Sequence, residues 1–201
     1  MVIIFAYMKR KIFREDILNA GKKLMFLNGY EATGIKSITD EVGIPKGSFY
    51  NHFENKEVFG LEMLGEYCNG GIQMHRRNLL ESSKNPMQRL EDHYDGMIAS
   101  LIQQSEYKLG CIMGNFSMEM ADVNESFRKI LDDKFEEIQE IIFECLKEGQ
   151  EKKVVNMGLD PLMMSGFMLN SWHGALIRMK ATATAKPLND FREMIFTQLA
   201  P

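Results

Sequence analysis

Between Lys46 and Phe53 the chain sets a cation, a phenol, an amide and a bare backbone at helical spacing. Lys46 and Tyr50 stand four residues apart, as do Gly47 and Asn51, and Phe49 and Phe53 make a third such pair on another face. If the two phenylalanines turn to a core, the other pairs form an exposed face suited to a groove of phosphates and base edges. A lysine there serves phosphate oxygens, Asn51 has the donor and acceptor for a bidentate pair with adenine, and Gly47 permits close backbone approach. A second place where residue types could do chemistry is Lys108-Leu109-Gly110-Cys111-Ile112-Met113-Gly114-Asn115-Phe116. Gly110 ends a loop and Cys111 begins a helix. Backbone amides at a helix start, with Lys108 turned back, lower a thiol pKa, and Gly110 and Gly114 leave the sulfur uncrowded. Cys111 therefore reads either as a reactive sensor thiol or as a small buried packing residue.

Other chemistries lack a constellation. His52, His75, His93 and His173 are scattered, no paired carboxylates stand out, and no glycine loop is built for phosphates. Neither a metal site nor a cofactor is expected. Cys68, Cys111 and Cys145 are three widely spaced cysteines, an odd count that fits neither a disulfide framework nor a zinc site. Met1–Tyr7 is apolar but too short for a signal-peptide core, and its positive charges follow rather than precede it. With no run near the ~20 apolar residues of a membrane span, the chain is expected to be cytosolic with reduced thiols.

The 201 residues carry a net charge of -4, unevenly spread. Residues 1–60 hold nine Lys/Arg against seven Asp/Glu, and the remainder is net negative. A basic end on an acidic body fits local contact with a polyanion.

The elements that must position these residues all read as helices. Lys9 to Asn28 forms the first, with Ile17, Ala20, Leu24 and Leu27 as its core stripe and Gly29 as its stop. Lys9, Arg10, Lys11 and Arg14 crowd its start, where cations oppose the helix dipole, so they read as a solvated leader or as phosphate contacts. Ile35, Ile38 and Val42 share the face of a second helix. Thr33 is placed to cap it, Gly43 to end it, Ile44 turns inward and Pro45 presets the next start. Asn55 can cap a long helix from Lys56 to Leu80, weakened at Gly70-Gly71. Further helices are expected over Met87–Gln104, Gly110–Ala121, Asn124–Gly149, Pro161–Thr182 and Leu188–Leu199, with Val154-Val155 too short to make a sheet. The reading is all-α, about nine helices, with a helix-turn-helix domain over 9–55 and a ligand-binding and dimerising domain over 56–201.

Sixteen methionines suit adaptable cavities as well as ordinary cores. The expected pocket wall is Met63, Tyr67, Met97, Leu101, Met113, Phe116, Trp172 and His173, with Cys111 beside it. Its polar groups would come from Tyr67, Asn115, Trp172 and His173, although His173 reads equally as a structural histidine.

Gly29-Tyr30, Thr33, Ile38, Gly43-Ile44, Lys46-Gly47-Ser48-Phe49-Tyr50 and His52-Phe53, with Lys56-Glu57 after them, resemble the helix-turn-helix of TetR-type repressors. Gly21, Met25 and Gly34 depart from the usual residues and are expected to loosen helix packing. The resemblance implies a homodimer on a pseudo-palindromic double-stranded operator, its half-sites about one turn, ~34–36 Å, or a multiple apart. By position it implies that Lys46, Tyr50, His52 and Lys56 serve mainly phosphates, assisted by Thr33, with Gly47, Ser48 and Asn51 nearest base edges. Lys36 would be a phosphate contact or a solvated lysine. Dimerisation would fall to Pro161–Thr182 and Leu188–Leu199, with Gly166, Gly174 and Ala175 allowing close approach.

Gly110-Cys111 with Gly114-Asn115, then Asn124-Glu125-Ser126-Phe127-Arg128 and Gly174-Ala175-Leu176-Ile177-Arg178-Met179-Lys180, resemble a TetR subgroup with a GC-x-x-GN pattern. Some of its members sense electrophiles or oxidants through this cysteine, and others bind small organic ligands. The same match would bring Lys180 towards the thiol. The expected function is a repressor released from DNA by a small apolar or electrophilic effector. Two alternatives are a thiol-dependent enzyme or electrophile trap, and a helical interaction module without DNA binding.

Overall fold

A computed structural model describes residues 14–105, 107 and 110–201. Its described residues form nine helices and no strand: α1 (Arg14–Asn28), α2 (Ile35–Val42), α3 (Lys46–Phe49), α4 (Lys56–Leu79), α5 (Pro86–Ser105), α6 (Ile112–Met120), α7 (Glu125–Glu151), α8 (Pro161–Thr182) and α9 (Lys186–Leu199). Lys9, Arg10, Lys11 and Lys108, on which charge at the first helix and beside Cys111 was expected, lie outside the described residues, as does Met1–Tyr7.

The helix boundaries follow local chemistry. Asn55 caps α4, its side chain accepting from the Val58 amide at 2.9 Å. Asn124 does the same for α7 through Phe127 N at 3.1 Å, and Asp160 for α8 through Leu162 N at 2.9 Å. Gly43 ends α2 at φ 73°, a left-handed conformation that glycine adopts without a Cβ penalty. α4 runs unbroken for 24 residues through the Gly70-Gly71 pair. A Cβ at either glycine would meet nothing within 4 Å, and Gly71 borders open space inside the body.

Phe49, Phe53 and Phe59 are buried and hold α3 and the turn after it to α4, with ring centroids 5.3 Å apart for Phe49 and Phe53 and 4.9 Å for Phe53 and Phe59. Arg14 belongs to this cluster. Its guanidinium lies 4.4 Å from the Phe53 ring centroid and pairs with Glu62 of α4, so it ties α1 to α4 rather than serving as leader or phosphate contact. The α1 stripe is also rotated from the expected one. Ile17, Leu18, Ala20, Gly21 and Met25 are buried, whereas Leu24 is only partly buried and Leu27 is exposed. The Phe59 ring packs straight onto Gly21, and this draws that side of α1 inward. Gly21 tightens the packing rather than loosening it.

Thr33 is a further correction. Gly34, not Thr33, occupies the cap position of α2 and makes no side-chain cap bond. Thr33 is 1% exposed and its hydroxyl donates to Gly29 O at 2.7 Å, closing the loop after α1. The same loop leans on α6. Glu119 accepts from the Glu31 amide at 2.9 Å, and Tyr30 packs edge-on against Phe116 and Phe127.

The body is built from α4, α5, α7 and α8 around a common core, with α9 laid along α8 and α5. Gly166 on α8 faces α7, where Gln139 would crowd a Cβ at 3.3 Å, so its small size serves the body rather than an outer face. No helix among the described residues is long and apolar enough to cross a membrane.

Replacing Gly21 by alanine puts a methyl group into the buried Phe59 ring. Overpacking of this kind costs about 1–3 kcal/mol, more than the ~1 kcal/mol alanine gains over glycine in a helix. Gly21→Ala should lower the urea midpoint and the thermal midpoint. An unchanged or raised midpoint would show that Phe59 can move aside.

Candidate functional site

Two regions carry the chemistry. The first is the face around α3. Lys46, Gly47, Tyr50 and Asn51 are exposed, Ser48 and His52 are half-buried, and Phe49 and Phe53 point the other way into the core. The helix proper is one turn, but the path continues: Asn51 N donates to Ser48 O at 3.3 Å, and His52 N and Phe53 N both donate to Phe49 O at 3.0 Å. That keeps Phe53 one turn below Phe49 and leaves the polar residues together outside. A Cβ at Gly47 would meet nothing within 4 Å, so the backbone there is open to an approaching surface.

Two of the expected lysines are engaged. Lys36 is exposed and paired with Asp40 at 2.6 Å. Lys56 is half-buried, its ammonium 4.2 Å from the Tyr30 ring centroid and 3.4 Å from Glu31 O. It still stands at the first position of α4, where free amides favour an anion. Thr33, buried with its hydroxyl committed, is not on this face.

The second region is a cavity of about 510 Å³ in the body. Seven of the expected residues line it: Tyr67, Met97, Leu101, Cys111, Met113, Trp172 and His173. Met63 and Phe116 do not. Met63 is 1% exposed in the core, and Phe116 is wedged between Tyr30 and Phe127 at centroid distances of 5.4 and 5.6 Å. Sequence reasoning missed Phe26, Met74, His75, Asn78 and His93. His75 and His93 are distant in the chain, and only the packing of α4 against α5 brings their rings to 4.5 Å.

Cys111 is the N-cap residue of α6 and half-buried, at the cavity wall. Burial pushes its thiol up. The hydrogen bond and positive charge of His173, and the amides of Gly114 and Met113, outweigh this and hold the thiol below its ordinary range. The converse holds for His173: burial pushes it down, but the Cys111 thiolate and Leu169 O leave it raised. His173 Nδ1 lies 2.9 Å from Leu169 O and donates to it, leaving Nε2 for the sulfur. Each group favours the charged form of the other: the thiol is drawn towards its anion and the imidazole towards its cation. Tyr67 is raised by burial and then by Cys111, to which its phenol hydrogen-bonds. The Lys180 side chain lies against Gly110, the residue before Cys111, with its Cδ 3.1 Å from where a Gly110 Cβ would stand. Cys68 and Cys145 differ sharply from Cys111. Both are buried, and burial pushes each thiol up to about 12.

Residues 17–63 match the model of bacterial regulatory proteins of the tetR family, and residues 86–195 match the tetracyclin repressor-like C-terminal domain, more than half of the chain. The chain belongs to the TetR family. It is 33% identical to the HTH-type transcriptional repressor DhaR of Mycobacterium sp. strain GP1 over 194 residues, 96% of each chain. It is 25% identical to the HTH-type transcriptional repressor NemR of Escherichia coli K12, over 88% of each. The crystal structure of reduced E. coli NemR superposes with a TM-score of 0.83 and 26% identity, covering 93% of this chain and 97% of that one. A regulatory protein TetR from Rhodobacter sphaeroides gives a TM-score of 0.86 at 25% identity, covering 92% and 98%. TetR-family regulators bind operator DNA and small-molecule effectors and are typically dimers. This TetR-family protein is accordingly a ligand-responsive, DNA-binding transcriptional regulator. The α3 turn falls within the matched residues 17–63, and the cavity is walled partly by the matched residues 86–195 and partly by α4, most of which lies between the two matches.

The thiols should separate in reactivity. At pH 7 an alkylating reagent should modify Cys111 much faster than Cys68 or Cys145 in the native protein, with a pH midpoint below the ordinary thiol value. His173→Gln should move that midpoint upward. Equal rates at all three cysteines would remove the sensor reading. A second expectation concerns acid. Burial, then the charge of His173, lowers His75 to about 4; burial, then His75, lowers His93 to about 3. An unfolded histidine titrates near ~6.5. The stability from keeping these rings neutral is therefore complete above pH 6.5 and lost as pH falls towards 4 and then 3. The His75 share is on the order of 3 kcal/mol. Urea midpoints measured from pH 7 to pH 4.5 should fall, and His75→Gln should flatten the decline.

Proposed function

We propose that this regulator is a repressor released from its operator when a small apolar or electrophilic effector occupies the cavity or reacts at Cys111. The observation that carries the reading is the lowered thiol of Cys111 in the wall of a cavity that α4 also lines. α4 contributes Tyr67, Cys68, Gly71, Met74, His75 and Asn78 to that wall and begins at Lys56, just after the α3 turn. A change in the cavity that shifts α4 would change the separation of two α3 faces in a dimer. Moving such an equilibrium from 1:99 to 99:1 takes about 5.5 kcal/mol of differential binding. The Gly110-Cys111 and Gly114-Asn115 pattern supports placement in the electrophile-responsive subgroup.

On DNA, Lys46, Tyr50, His52 and Lys56 serve phosphates, Gly47, Ser48 and Asn51 lie nearest base edges, and Lys36 adds a peripheral phosphate contact in exchange for Asp40. The homodimer forms through α8 and α9, on a pseudo-palindromic operator in the cytoplasm. Support for this surface is its exposed apolar residues: Leu162, Met163, Phe167 and Ile177 on α8 and Met194 on α9. Gly174 is exposed there, and a Cβ on it would meet nothing within 4 Å, which leaves room for a partner helix.

A gel shift against the upstream region of the chain's own gene tests the reading. The protein should retard this DNA at low salt and release it after treatment with N-ethylmaleimide, while Cys111→Ser should bind but resist release. Lys46→Ala should weaken binding evenly across sequences and reduce the salt slope by about one. Asn51→Ala should cost about 1–3 kcal/mol and relax preference at one position. No retardation at low salt would sink the proposal.

A further inference from the structure

The cavity has two ends of different character. One is the Cys111–His173 pair. The other lies between α4 and α5, where His75 and His93 face one another with ring centroids 4.5 Å apart. His93 is 2% exposed. Its Nδ1 lies 3.1 Å from Asn78 Nδ2, which donates to it. That bond places the proton of the neutral ring on Nε2, and His93 Nε2 is buried without a hydrogen-bond partner among the described residues. His75 Nδ1 is in the same condition. Both residues line the cavity. A buried ring nitrogen left unpaired costs about 1–3 kcal/mol, and two of them on neighbouring rings at a cavity wall have no partner among the described residues.

The surroundings identify the kind of partner. Met97, Leu101 and Trp172 make the neighbouring wall apolar. Behind His93, Asn78 and Asp92 the wall continues into a smaller pocket bearing Arg77, Lys84 and Arg89. Lys84 pairs with Asp92 and Arg89 with Glu148, so this pocket is cationic but largely compensated. An acceptor oxygen matches both the donor on His93 and the mildly positive field behind it. A cationic head would meet arginine and lysine, and a purely hydrocarbon ligand would leave both ring nitrogens unpaired.

We propose that His75 and His93 form a hydrogen-bonding subsite for the oxygen head of an otherwise apolar effector. A ketone or carboxylate oxygen accepts from His93 Nε2–H, with His75 Nδ1 beside it, and the hydrocarbon lies against Met97, Leu101 and Trp172. This deepens the reading of the cavity as the effector site and rests on it. It assigns recognition to the α4–α5 end, separate from the thiol.

Trp172 is the only tryptophan of the chain and lines the cavity, so its fluorescence reports binding there directly. Three probes of similar shape should be titrated into the full-length protein: butylcyclohexane, 4-cyclohexyl-2-butanone and 3-cyclohexylpropanoate. At least one oxygen-bearing probe should bind about tenfold more tightly than the hydrocarbon, as one net hydrogen bond of ~1.4 kcal/mol requires. The ketone and carboxylate titrations separate a neutral from an anionic head. His93→Phe should erase the preference while hydrocarbon binding persists, and His93→Gln, which keeps an N–H donor, should restore part of it. Should His93→Phe fail to fold, the imidazole nitrogen resonances of His93 in the unsubstituted protein give the answer, since Nε2 must shift on adding the preferred probe. Equal affinity for all three probes, or a preference that survives His93→Phe, overturns the subsite and leaves the cavity standing as an effector site. No Trp172 response to any probe overturns both.

Discussion

The aromatic junction of Phe49, Phe53 and Phe59 is the constraint on which the rest of the molecule depends. The DNA-side helices are short: α2 spans eight residues and α3 four. Helices of that length do not stand alone in water, so they must be held by packing. The junction holds them, and it does so against α4, a helix that also lines the cavity. Gly21 admits the Phe59 ring, and Arg14 closes the outer edge over Phe53. Because Phe49 and Phe53 take the inner face, Lys46, Gly47, Tyr50 and Asn51 have nowhere to go but outward. Burial on one side creates the exposed polar face on the other.

Much of this was legible from residue spacing. The Phe49/Phe53 stripe, the Gly43 turn, the Asn55 cap and the bounds of α8 follow from local rules that act within one or two turns. What escaped was set by contacts between distant segments. Leu27 fits the periodicity of α1 and is nonetheless exposed, because Phe59, far along the chain, chooses which side of α1 faces in. Thr33 has the chemistry of a cap, but its hydroxyl is drawn to Gly29 O. Met63 and Phe116 were placed in the pocket on type alone, and both fill the core beside it. The His75–His93 pair left no trace in sequence spacing, since it exists only across two packed helices.

The two ends of the cavity divide the chemical work. At one end a cysteine sits in the only environment among the three that draws its thiol downward, through a histidine whose own pKa is raised in return. At the other, two histidines are held neutral by burial. The same side-chain type is thus shifted in opposite directions, and the difference is the partner: a cysteine thiol for His173, an amide and another ring for His93 and His75.

The helix α6 joins Cys111 at its cap to Glu119 near its last turn, and Glu119 holds the amide of Glu31 in the loop that follows α1. Eight residues of α-helix measure roughly 12 Å, and such a rod hardly stretches along its axis. The sulfur and the loop are therefore the two feet of one strut. Together with α4 this strut braces α1–α3 against the body at two points instead of one, and two braces set an angle where a single brace would set only a distance.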